Sequence, residues 1–183
     1  MYALKFIQKS ICKDDSEHLC TYVYKFFVEE IKLHYIIRAE YHNENVIALK
    51  FYSKKYKKSP YKYNKIINKC NYTTVIKILE TCMLLIPKFL ELHPRCSFAL
   101  CSSRTIDFAN PNKLTEAIKE NQRFRVYSRF IQDRIGNKTF THFEYPDISS
   151  YLLVNNSNKN VEQTERKISE MFSRTYVTVP DIQ

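Results

Sequence analysis

The first fifty residues alternate between dense apolar runs and short polar interruptions, a rhythm that predicts four strands. Tyr2, Leu4 and Phe6 interleave with Ala3, Lys5 and Ile7, which predicts a first strand with at least one buried face. The polar run Lys13 to His18 reads as a turn. Thr21 to Val28 (TYVYKFFV) and Leu33 to Tyr41 (LHYIIRAEY) are dense in β-branched and aromatic residues, the side chains that fit a half-buried pleated surface. Val46 to Tyr52 (VIALKFY) follows the polar link His42 to Asn45 as a fourth strand. Strands so closely spaced predict an antiparallel meander.

The apolar period then changes from 2 to 3.6. Val75, Ile76, Leu79, Cys82, Met83 and Ile86 follow i, i+3, i+4 spacing behind the cap candidates Asn71 and Thr73, which predicts the central core helix. Pro87 lies inside that pattern and must kink or end it, since proline removes a backbone donor and clashes with the preceding turn. Cys96 to Cys101 (CSFALC) reads as a short buried strand. Leu114, Ala117, Ile118, Phe124, Tyr127, Phe130, Ile131 and Ile135 predict a long amphipathic helix over Asn112 to Ile135, with Gly136 at the position where a left-handed residue usually ends a helix. Thr139 to Tyr145 and Ser149 to Asn155 predict two more strands, Val161 to Arg174 a charged helix, and Tyr176 to Gln183 an extended tail. This order predicts an α+β fold, a mostly antiparallel mixed sheet with an N-terminal four-stranded meander and two or three packed helices, mainly on one face. Residues 1–155 read as a single α+β domain and 156–183 as a C-terminal helix and tail, with Asn155 to Asn160 as the hinge.

Gly136 is the single glycine among 183 residues, and this excludes several functions. Phosphate-cradling loops need clustered glycines whose N–H groups approach the anion where a Cβ would collide, so no nucleotide cofactor is expected. Turns must rely on Asn and Asp for left-handed conformations. A 44% hydrophobic content suits one sizeable core. No run resembles a membrane span, and Met1 to Lys9 alternates instead of forming a signal core, so a soluble, cytoplasmic protein without a membrane partner is expected. Cys12, Cys20, Cys70, Cys82, Cys96 and Cys101 are spread through apolar segments without paired zinc-ligand spacing, which predicts reduced thiols and no structural metal.

Charge patterning changes the picture most. The formal net charge is +10, and residues 50–69 hold eight lysines and no acidic residue. Lys50, Lys54, Lys55, Lys57, Lys58, Lys62, Lys65 and Lys69 are interleaved with Tyr52, Tyr56, Tyr61 and Tyr63. Ammonium groups neutralise phosphates and tyrosine rings stack on exposed bases, so the segment predicts a nucleic-acid contact, RNA or DNA. An acidic protein partner, or a solvated strand end that blocks edge pairing, would use the same residues. On the long helix Arg125 and Arg129 share a face and are expected to add phosphate clamps, while Arg123 and Arg134 project elsewhere.

Catalytic patterns are sparse. Glu30-Ile31-Lys32, with Asp14 or Asp15 upstream, matches the E-x-K triplet of metal-dependent nucleases. The five histidines lack ligand-spaced partners, and Cys101-Ser102-Ser103-Arg104 could form an active-site rim. None of these patterns outweighs a non-enzymatic reading.

Ser97 to Leu100 behind His93-Pro94, the helix piece Gln122-Arg123-Phe124-Arg125-Val126-Tyr127, Phe140-Thr141-His142-Phe143, and Ser149-Ser150-Tyr151-Leu152-Leu153-Val154-Asn155 resemble a group of small uncharacterised bacterial proteins associated with mobile genetic islands and phage defence. The resemblance covers roughly residues 20–155. It implies an accessory protein of such a system and assigns no activity to any residue. The expectation is a non-enzymatic binding protein for nucleic acid or a nucleoprotein assembly. Its alternatives are an adaptor or antitoxin-like subunit of a larger complex, and a small nuclease or toxin.

Overall fold

The computed structural model describes residues 1–13, 17–65, 70–105 and 116–176. Its strands are β1 (Lys5–Ile11), β2 (His18–Val28), β3 (Leu33–His42), β4 (Val46–Ser53), β5 (Ser97–Cys101), β6 (Phe140–Tyr145) and β7 (Ser150–Asn155). Its helices are α1 (Tyr72–Met83), α2 (Leu85–Leu92), α3 (Gln122–Arg134) and α4 (Val161–Thr175). The strands form one seven-stranded sheet in the order β1-β2-β3-β4-β5-β7-β6. Every pairing is antiparallel except β4 with β5, so the fold is α+β with an N-terminal meander.

Alternation along the strands creates two apolar faces. Tyr22, Tyr24, Phe26, Tyr35, Ile37, Ile47, Leu49, Phe98 and Leu153 point to one, where α1, α2 and α3 bury Leu79, Phe89, Phe124 and Ile131 against them. Val46, Leu152 and Val154 point to the other, where α4 places Ile168 and Met171. Three of the four helices therefore share one face, as expected, and α4 covers the other. Asn155 to Asn160 is a bonded turn, with the Asn158 side-chain amide donating to the Asn155 and Arg95 carbonyls.

The caps explain the helix starts. Asn71 accepts from the Thr74 N–H at 2.8 Å, and Asn160 accepts from the Gln163 N–H at 2.9 Å. Asn121 accepts from the Phe124 N–H at 2.9 Å, so the predicted long helix begins at Gln122. Ala117 and Ile118 lie outside it, and Asn112 to Thr115 fall outside the described residues. Pro87 occupies the first turn of α2, where its missing N–H is not needed, and the break falls before it at Leu84.

Two expectations are corrected. β1 buries none of its seven residues, because it is the sheet edge beyond the reach of the helices; only Tyr2 and Leu4, ahead of it, pack on the core. Gly136 follows α3 but is not left-handed. Among the described residues the positive φ angles belong instead to Lys32, Glu44, Asn45, Arg95, Glu120 and Ser149, so only one of these left-handed positions is an Asn and none is an Asp. A Cβ on Gly136 would meet nothing within 4 Å. Gly136→Ala is therefore expected to leave stability unchanged or raise it by up to about 1 kcal/mol through the unfolded chain, a gain of about 2–4 °C in a thermal melt. A loss of that size would restore the helix-terminating role.

Candidate nucleic-acid interface

The lysine and tyrosine segment leaves the sheet at the end of β4 and folds as successive tight turns. Lys54–Tyr56 is a 3-10 turn, and the N–H groups of Lys57, Ser59, Lys62 and Asn64 each donate to the carbonyl three residues earlier. Two contacts hold the chain against the sheet. Asn64 is fully buried and its amide donates to the Arg104 carbonyl at 2.8 Å, while the Arg123 guanidinium donates to the Tyr63 carbonyl and, at 3.0 Å, to that of Lys65.

This arrangement sorts the predicted residues into distinct environments. Lys54, Lys55, Lys57 and Lys58 are exposed, and among the described residues no carboxylate pairs with them. Tyr56, Tyr61, Lys62, Tyr63 and Lys65 are half-buried. The Lys62 ammonium sits 5.2 Å from the Tyr52 ring centre and 5.3 Å from that of Tyr63, and those two rings meet edge to face at 5.3 Å. Burial, and then the Arg38 charge, lower the Lys62 pKa. Lys69 lies outside the described residues.

Lys50 belongs to a different structure. On the face of the sheet opposite α1 to α3, the Glu40 carboxylate is 5% exposed and is held by Arg38 Nε at 3.0 Å and Lys50 Nζ at 2.5 Å. Tyr176, just beyond α4, donates its hydroxyl to Glu40 at 3.2 Å and lies 3.0 Å from His42 Nε2. Burial alone would raise the Glu40 carboxyl, but the Lys50 and Arg38 charges outweigh it and hold it at about 2. His42 is fully buried, and burial, followed by the neighbouring His18, pushes it down to about 4. Lys50 thus neutralises a core carboxylate and is not part of the exposed lysine row.

Arg125 and Arg129 also stand apart. Both are exposed, with Arg125 donating to the Glu120 carbonyl at 2.6 Å and Arg129 facing Asp133 at 4.0 Å. Arg123, which the helical phase had turned away, is the α3 arginine that reaches the segment. Reading Asn121 as the cap would have exposed this, because a residue in the first turn projects back past the helix start.

Between the segment, β4, α1 and α3 lies a cleft of about 300 Å³. Tyr35, Phe51, Ile78 and Val126 contribute apolar wall, Tyr52 and Tyr56 add further rings, and Lys62, Lys65 and Arg123 supply the charge. Among the described residues no acidic side chain lines it.

The alternative chemistries find weaker footing. Glu30 accepts from Lys77 Nζ and from the Tyr2 hydroxyl, each at 2.7 Å, and those bonds hold its carboxyl at about 2. Lys32 occupies a left-handed turn position, and Asp14 and Asp15 lie outside the described residues. Among the described residues no group of three or more His, Cys, Asp or Glu could hold a metal ion, and no helix is long and apolar enough to cross a membrane. His142 meets the Tyr151 hydroxyl at 2.7 Å, a packing contact. Cys20, Cys82 and Cys96 are buried thiols, and burial pushes Cys96 up to about 12.

Comparison with family models, curated proteins and solved structures finds no match for this chain.

His42 and Glu40 set an acid limit on stability. The folded protein keeps His42 neutral down to about pH 4, whereas the unfolded chain protonates it near its ordinary value of 6.5, so unfolding takes up a proton between those values. Stability should fall by up to about 3 kcal/mol as pH drops through that window. Glu40 extends the loss from 4.5 towards 2. Urea midpoints at pH 7, 5.5 and 4.5 test this, and His42→Gln should remove much of the slope between pH 6.5 and 4.5. An unchanged slope in that variant would assign it to other groups.

Proposed function

We propose that this protein is a non-enzymatic accessory factor that contacts single-stranded nucleic acid through the surface formed by residues 54–65. The observation that carries this reading is the row of exposed Lys54, Lys55, Lys57 and Lys58, four cations on consecutive short turns with no carboxylate partner among the described residues. Solvated ammonium groups held within one short stretch can neutralise successive phosphates and release the counterions condensed on the nucleic acid. Partly accessible Tyr56 and Tyr61 beside the row offer faces for bases without selecting a sequence. The resemblance to proteins of mobile genetic islands and phage defence supplies a setting in which such a factor would act within a larger nucleoprotein assembly, in the cytoplasm.

The exposed edge of the sheet favours a second reading as an adaptor subunit. Phe6, Ile7 and Ile11 on β1 are 51%, 44% and 71% exposed, an apolar strand edge that could add a partner strand. Lys5, Lys9 and the bulge between Phe6 and Gln8 blunt that edge, which is why nucleic-acid contact is preferred.

Fluorescence-polarisation titrations with single-stranded RNA and DNA oligomers separate the two readings. If about six phosphates are engaged, affinity should fall about three-hundredfold between about 50 and 200 mM salt, at roughly 0.7 per contact on a single strand. Replacing Lys54, Lys55, Lys57 and Lys58 together by alanine should reduce the slope of log affinity against log salt by about 3, at roughly 0.7 per contact on a single strand. Absence of binding at low salt, or binding indifferent to salt, would overturn the nucleic-acid reading. A complex with a partner protein that survives high salt and is lost in Ile7→Lys would favour the adaptor.

A further inference from the structure

We infer that the cleft beside the lysine row accepts one unstacked nucleobase of the bound strand, so that the surface holds its ligand by a base as well as by phosphates. This rests on the nucleic-acid reading and adds a defined subsite to it. The chemistry of the lining selects a planar aromatic group over a sugar or an aliphatic chain. Six of its side chains are aromatic, among them Tyr35, Phe51, Tyr52 and Tyr56, and Val126 and Ile78 complete an apolar wall. A volume of about 300 Å³ has the scale of a small-ligand site.

The polar groups are placed for a nucleotide. Lys62, Lys65 and Arg123 line the same cleft, and no acidic side chain lines it among the described residues. Arg123 gives two bonds to the Tyr63 and Lys65 carbonyls, which leaves N–H groups of its five for a phosphate or a base edge. In the wall the Ser53 hydroxyl is buried and finds no hydrogen-bond partner among the described residues. Buried hydroxyls are normally matched, and a base edge presents the donors and acceptors that would match it. Tyr56, which lines the cleft, lies between Lys55 and Lys57 of the exposed row, so a strand lying along Lys54 to Lys58 passes beside it. Lone phosphate-binding lysines would need none of these aromatic walls.

The test compares a single-stranded oligomer with an abasic oligomer of the same length and charge, using the full chain at low salt. The intact oligomer should bind about tenfold or more tightly than the abasic one, the scale of one base stacked on an aromatic ring. Val126→Phe, which fills the cleft, should bring the two to equal affinity. Tyr56→Ala, on a half-exposed turn, serves the same purpose should the core substitution lower the melting temperature. The quadruple lysine variant should weaken both oligomers alike. Equal binding of the two oligomers to the native protein would overturn the cleft while leaving the lysine surface standing. If neither oligomer binds, the nucleic-acid reading fails, and the cleft is then judged by adenosine 5′-monophosphate against ribose 5-phosphate. Preference for the base-bearing compound, lost in Val126→Phe, would support a free-nucleotide site, and no preference would overturn the cleft as well.

Discussion

The short parallel contact between β4 and β5 is the constraint on which the candidate site depends. β4 pairs with β3 along its whole length, from Val46 opposite His42 to Ser53 opposite Tyr35, but meets β5 only at Val46, Ile47 and Ala48. From Leu49 onward β4 has no β5 partner, and the chain beyond it turns back across the space this leaves. The cleft, the turns of residues 54–65 and the grip of Arg123 on their carbonyls all lie at that opening.

The opposite face of the same strands shows why basic residues adjacent in sequence do different work. Alternation puts Lys50 on the α4 side, opposite Arg38 in register, and both serve the buried Glu40. A carboxylate withdrawn from water is tolerable only when its partners are close and hydrogen-bonded, and removing both would leave an uncompensated charge in the core. Tyr176 completes the cluster from the end of α4. One lysine is thereby committed to the interior while Lys54, only one turn away, faces solvent. Tyr52 and Tyr63, clasping Lys62 between them, join the interior cluster to the exposed segment.

Strands β2, β3 and β4 were legible because each is a run of eight or more residues dense in apolar, β-branched and aromatic side chains. α1 was legible through Asn71 and the apolar spacing behind it, and α4 as a charged helix around Ile168, Met171 and Phe172. β1 misled because its alternation is genuine, but burial needs something to be buried against, and the edge strand lies past the last helix. The α3 start misled because Leu114, Ala117 and Ile118 continue the helical spacing across the cap at Asn121. Gly136 misled in the same way: its place after the helix was right, yet the conformation that would have required glycine fell to other residues.

For the site, the sequence by itself determined that residues 50–69 would carry eight lysines and no acid, and that their tyrosines would be close at hand. Composition and local spacing are properties of the chain, and no fold could remove that charge. Only the tertiary structure decided which of those lysines remain available, that Arg123 joins them instead of Arg125 or Arg129, and that an aromatic cleft opens at their side. These outcomes turn on where β5 stops, which strand faces meet α4, and how the start of α3 meets a loop some sixty residues earlier. Contacts between such distant segments leave no periodic trace in either one.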